Sequence, residues 1–163
     1  MIEFTDIPVL DLAPLIAGED TSELARAFAK AYGETGFGYV TNHGVNPALR
    51  QAVFAASKQF HALPLEAKEA IALDHSHRGY IAINTSTDVN TDLAEVTKPN
   101  QSASFMMMRE DAEAQPDVYL SGPNQWPDLE GFREACEAYA DAMSDLGRKL
   151  MALALEALEI EDK

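Results

Sequence analysis

One cysteine, Cys136, stands in 163 residues. An intrachain disulfide is therefore impossible, and no thiolate cluster can hold a metal within one chain. Basic residues are scarce: 12 Lys and Arg against 27 Asp and Glu give a formal net charge of −15. Such a surface repels nucleic-acid backbones and anionic membranes, which argues against both as partners. No apolar run is long enough to span a bilayer. The opening MIEFTDIPVLDLAPL lacks the basic leader and apolar core of a signal peptide, so the expected compartment is the cytoplasm.

Several catalytic signatures are missing as well. There is no G-x-S-x-G elbow, and no lysine follows GYVTNHG as a phosphate loop requires. The glycines of GETGFG have the wrong spacing for a dinucleotide fingerprint, and a strand follows them rather than precedes. The four histidines are His43, His61, His75 and His77. None has an acid two residues later, so the H-x-D form of a two-histidine, one-carboxylate iron site is absent. Asp74, His75 and His77 form the only cluster. In an extended segment both imidazoles would share one face, but a useful metal site needs a third ligand. A solvated loop is the weightier reading, and no metal ligand is assigned.

The remaining features suit a soluble domain. The apolar fraction of 47% is ordinary, and the length is about that of one domain. IPVLDL, residues 7–12, reads as a strand, with Pro8 at its edge or first position. GEDTSELARAFAKAYGETG reads as a helix. Asp20 and Glu23 have capping-box spacing, Leu24, Phe28, Ala31 and Tyr32 share a face, and Gly33 and Gly36 end it. FGYVTN is a second strand and HGVNP the turn after it. Asn46 and Pro47 then open a helix as N-cap and first-turn proline, with Leu49, Val53, Ala56 and Phe60 as its stripe.

Pro64 precedes a short helix near 65–71, RGYIAI is a third strand, and SASFMMM is a fourth. Residues 84–101 are polar and read as a long loop or lid. Asp128 is expected to cap a long helix to about Ile160. Its stripe is Phe132, Cys136, Tyr139, Met143, Leu146, Leu150, Leu153 and Leu158, and Cys136 within it reads as a buried, inert thiol. The class is α/β (α+β), with few strands for so much helix to cover.

Five segments occur in order: IPVLDLAPL, TGFGYVTNHGV (35–45), FHALPLEAK (60–68), RGY (78–80) and GPNQWP (122–127). Together they resemble the N-terminal region of the isopenicillin N synthase-like family. Its members are non-haem iron(II), mostly 2-oxoglutarate-dependent, oxygenases. The resemblance covers nearly the whole chain. It implies one N-terminal domain, 1–163, that packs on a double-stranded β-helix, or jelly roll. The catalytic half, with the iron ligands and the 2-oxoglutarate arginine, would then be absent from this chain.

By the same resemblance, Asn42, His43 and Gly44 match a structural turn, in keeping with side chains that tie a tight turn and a glycine free to take positive φ. Arg78 and Tyr80, with His77 next, match a strand near the mouth of the active site and are the candidate substrate contacts. Residues 84–91 would be a variable lid. DLAEV departs from the common DLKE pattern, with Ala94 for lysine and Glu95 keeping the acid. Fe(II) and 2-oxoglutarate would serve the complete enzyme and neither would bind this chain alone. The partners would be the catalytic half of the same polypeptide and a small-molecule substrate. The alternative is a truncated, non-enzymatic binding or oligomerisation module that uses the apolar stripe of the long helix.

Overall fold

The structure, a computed structural model, describes residues 7–86 and 97–160. These divide into two compact units. One comprises the described residues up to Ala52 together with those from Ala135, the other Val53–Glu134. The elements are β1 (Val9–Asp11), α1 (Ala13–Ala17), α2 (Ser22–Lys30), β2 (Tyr39–Thr41), α3 (Pro47–Ala62), α4 (Leu65–Glu69), β3 (Gly79–Ile81), β4 (Ser104–Met106) and α5 (Phe132–Ala157). The chain is thus a mixture of helix and a few short strands. No helix among the described residues is long and apolar enough to cross a membrane.

In the first unit β1 and β2 pair in parallel, Leu10 opposite Val40, a pairing that needs a crossover. Helices α1 and α2 supply it. Side chains alternate across a strand, so Leu10 is buried and Val40 packs on the core, while Val9 and Tyr39 on the opposite face are each 61% exposed. Leu12, Leu24, Ala25 and Ala31 complete this core with Leu146 and Leu153 of α5.

Helix α2 corrects two expectations. Its N-cap is Thr21, whose side chain makes no capping bond. Asp20 lies one position too early and accepts from the Ser22 N–H (3.0 Å) and Oγ (2.6 Å) instead, a local turn of the kind Asp favours. Gly33 does not end the helix. The last turn widens into a π-helical turn over Ala31–Thr35, closed by Gly36 at φ +85°, whose N–H bonds the Ala31 carbonyl. Phe28 and Tyr32 stack at 4.4 Å, but Tyr32 stays largely exposed.

The entry to α3 is as read. Asn46 Oδ1 accepts from the Ala48 N–H at 2.9 Å and Pro47 is the first helical residue. In the second unit Phe60 is completely buried at the hub of an aromatic cluster. Tyr80, Phe105 and Phe132 stand at ring-centroid distances of 5.9, 5.3 and 5.2 Å, in edge or tilted contacts that suit the ring quadrupoles. Strands β3 and β4 pair antiparallel, Tyr80 opposite Phe105.

Helix α5 starts at Phe132, so Asp128 does not cap it. The intervening chain turns, with the Phe132 N–H on the Leu129 carbonyl at 3.2 Å, and Gly131 has φ +75°, which a right-handed helix cannot include. Of the expected stripe, Phe132, Cys136, Leu146 and Leu153 are buried, Met143 is partly exposed and Leu158 lies exposed beyond the helix. Burial, and to a lesser degree Glu137, pushes the Cys136 thiol above its ordinary pKa, as expected of an inert cysteine.

Candidate functional site

The five quoted segments pair into two frames, one in each unit. In the first, β1 and the turn after β2 are tied together. The Leu12 N–H bonds the Thr41 carbonyl at 3.0 Å, and Asn42 Nδ2 donates to Asp11 Oδ1 at 2.8 Å. The same oxygen accepts from the Ala13 N–H at 2.9 Å. These bonds, the Ala13 amide first, hold the Asp11 carboxyl below the ordinary carboxylate pKa. Asn42 sits at φ +50° and Gly44 at φ +76°. A Cβ on Gly44 would stand 3.1 Å from Ile16 Cγ2, so the turn favours glycine for its conformation, and a larger residue would also press on Ile16. His43 Nδ1 accepts from the Val45 N–H at 3.1 Å, a bond that requires an unprotonated Nδ1. The three residues form one turn, and the bonds that the Asn42 and His43 side chains make run to the chain's own groups. His43 also borders two shallow clefts of about 280 and 460 Å³ beside α5.

The second frame joins FHALPLEAK, RGY and GPNQWP. The Lys68 ammonium donates to the His61 carbonyl (3.0 Å) and lies 5.6 Å from the centroid of the Tyr80 ring, a cation–π arrangement. Asp74 Oδ1 accepts from the Ser76 N–H (2.9 Å) and Oγ (2.6 Å) and closes the turn that leads to Arg78. The Ser76 hydroxyl, chiefly, holds the Asp74 carboxyl below its ordinary pKa. Gly79 has φ +112°, and a Cβ there would fall 2.2 Å from the Ile71 carbonyl oxygen and 2.8 Å from Gln125 Nε2. Gln125 Nε2 donates to the Ala72 and Arg78 carbonyls at 2.9 and 2.7 Å. Asn124 holds the chain after β4 through the Met108 N–H (2.9 Å) and carbonyl (2.8 Å). Gln125 and Asn124 were quoted within GPNQWP but given no role by sequence. Side-chain amides beside prolines in a turn-rich run are the signal that could have found them.

The three candidate substrate contacts lie consecutively or nearly so, but their side chains differ in reach. His77, at φ +58°, is exposed. Tyr80 is enclosed in the aromatic cluster. Arg78 is not the surface arginine that its charge suggests: it is 1% exposed. Its Nη1 donates to the Ser76 carbonyl and Nη2 to the Arg109 carbonyl, both at 3.0 Å. Its Nε–H is buried without a partner among the described residues.

Arg78 lines an open cleft of about 390 Å³ with Met108, Arg109, Asp111, Val118, Tyr119, Leu120 and Ser121. Asp111 Oδ2 accepts from Arg109 and from Ser121 Oγ, both at 3.0 Å. The Arg109 bond first, then the Ser121 hydroxyl and the charges of Arg109 and Arg78, hold the Asp111 carboxyl below its usual value.

The polar loop of residues 84–101 is described only at its ends. Asn84 N–H bonds the Asn100 carbonyl (3.0 Å) and the Asn100 N–H bonds the Ser86 carbonyl (2.8 Å), so the ends are clamped together. Residues 87–96, including Ala94, Glu95 and most of the expected lid, lie outside the described residues.

The DHSH segment does not provide the paired imidazoles that an extended strand would give. Asp74–Ser76 bonding makes it a turn, which removes the alternation on which the expectation rests. Among the described residues no three His, Cys, Asp or Glu side chains are placed to hold a metal ion. The residues described therefore do not fit an iron centre.

Residues 7–129 match the family described as the N-terminal region of the non-haem dioxygenase in morphine synthesis. A 2-oxoglutarate-dependent dioxygenase of Gibberella zeae is 34% identical over 96% of this chain and 42% of its own. A 2-oxoglutarate-Fe(II) type oxidoreductase of Emericella nidulans is 29% identical over 95% of this chain and 46% of its own. A full-length protein of Neurospora crassa, solved in complex with alpha-KG, superposes with a TM-score of 0.76 at 26% identity, covering 98% of this chain and 50% of that one. The chain spans about half the length of the relatives it matches. The matched range includes all five segments that build the two frames, and the chain belongs to the 2-oxoglutarate–Fe(II) oxygenase family, as an N-terminal part of it.

Proposed function

We propose that residues 1–163 act as a single N-terminal domain that supports the catalytic jelly roll of an oxygenase and lines part of its substrate pocket. In this reading the jelly roll holds Fe(II) and 2-oxoglutarate, which together supply the oxidising chemistry, and the substrate is a small organic molecule. The observation that carries the reading is the match over about half of each relative's length, in a chain whose described residues do not fit an iron centre. The outer face of β1 and β2, where Val9 and Tyr39 are each 61% exposed beside the exposed Asp11 and Thr41, is the surface offered to the jelly roll in this reading.

Within the domain the roles divide. Asn42, His43 and Gly44 hold the frame. His77 is the side chain free to meet substrate, Arg78 borders a cleft, and Tyr80 anchors the strand that follows both. In the polypeptide that joins this domain to its catalytic half, His77→Ala should raise KM for the substrate several-fold. Substrate-free turnover of 2-oxoglutarate should be unchanged. A variant that lost both activities together, or neither, would contradict a substrate-facing His77.

A further inference from the structure

We propose that the cleft of Arg78, Arg109 and Ser121 binds a small carboxylate with an apolar body. The inference rests on the substrate-contact reading of Arg78 and names the ligand class for it.

A guanidinium has five N–H donors and cannot shed its charge. Arg78 is 1% exposed, and its two described bonds go to neutral backbone carbonyls. Its Nε–H has no partner among the described residues. A buried charge held this way is costly unless an anion completes its shell. Asp111 feels the Arg78 charge but does not complete its donor shell, because its Oδ2 is engaged by Arg109 and Ser121 and the described bonds of the Arg78 guanidinium go elsewhere.

The charged groups lining the cleft are Arg78, Arg109 and Asp111, two cations and one anion, so the cleft is net positive in a chain of charge −15. That local reversal favours a monoanion. A carboxylate suits it best, since its two oxygens match neighbouring N–H donors. Met108, Val118, Tyr119 and Leu120 provide the rest of the lining, and Tyr119 is 86% exposed, free to fold its ring over an apolar body.

The test uses the whole chain, with benzoate as probe and benzamide as its neutral match in shape, read by calorimetry and amide chemical shifts. Benzoate should saturate a single site and shift the amides of residues 108–111 and 118–121. Benzamide should bind at least about tenfold more weakly, the share of a charge-assisted hydrogen bond. Arg109→Ala should weaken benzoate by about tenfold, and Asp111→Asn, which removes the competing carboxylate, should tighten it. Neither substitution changes Arg78 itself or removes the Arg109 backbone carbonyl that it bonds. Equal binding of benzoate and benzamide, shifts elsewhere, no saturable binding, or indifference to both variants would each overturn the proposal. Such a failure leaves the jelly-roll reading standing, since that reading is judged by the turnover of 2-oxoglutarate.

Discussion

Among single residues, two glycines make opposite demands. Gly79 has φ +112° and no room for a Cβ, which would overlap the Ile71 carbonyl. Gly79→Ala should therefore cost roughly 3 kcal/mol through backbone strain and overpacking, visible as a lowered urea midpoint. Gly147 lies inside α5 with open space around its Cβ position. Gly147→Ala should instead stabilise by about 1 kcal/mol, the helix-propensity difference. The sequence alone does not separate the two, because a glycine's need for positive φ is set by its neighbours. Asp74 adds a pH signature. Its folded-state pKa is lowered, chiefly by the Ser76 hydroxyl. The unfolded chain therefore binds the proton more readily, and the stabilisation is present above the unfolded value of about 3.9. It is lost as pH falls through the lower folded value. Asp74→Asn should reduce the urea midpoint at pH 7 and reduce it by less at pH 3, below the unfolded value. A loss of equal size at both values would show that the carboxylate is not what holds this turn.

Among the helices and strands, legibility followed local chemistry. Asn46 and Pro47 carry their own start signal, and α3 begins where they place it. Asn46→Ala should cost about 1 kcal/mol, the usual loss of an N-cap, measured by thermal unfolding. Elements whose limits depend on tertiary context were read less well. Asp20 looked like a cap but bonded its near neighbour, and Asp128 was displaced as the start of α5 by the turn at Gly131. Arg78 is the clearest case in the candidate site. The resemblance marks it as a candidate contact, whereas its burial and its carbonyl partners, Ser76 nearby and Arg109 across the loop, are set by the fold. The apolar stripe of α3 is legible as a stripe, but Phe60 within it is not legible as a hub. Phe60→Ala, at full burial among three rings, should cost about 3–5 kcal/mol in the same assay.

Across the chain as a whole, the motifs that resemble an oxygenase are those that build its frame. Asp11 with Asn42, and Gln125 with Arg78 and Ala72, join segments far apart in sequence, so the segments share one structural purpose in each unit. This is why five individually weak motifs in order pointed to a family, while the residues that do chemistry in that family could not be read here. In the proposed division of labour this chain supplies the frame and the catalytic half the reaction. To test this, the purified chain is supplied with Fe(II), 2-oxoglutarate, ascorbate and dioxygen, and succinate is measured. No succinate above that formed by free iron alone is expected. Repeated turnover that saturates with 2-oxoglutarate and scales with the amount of chain would contradict that division of labour.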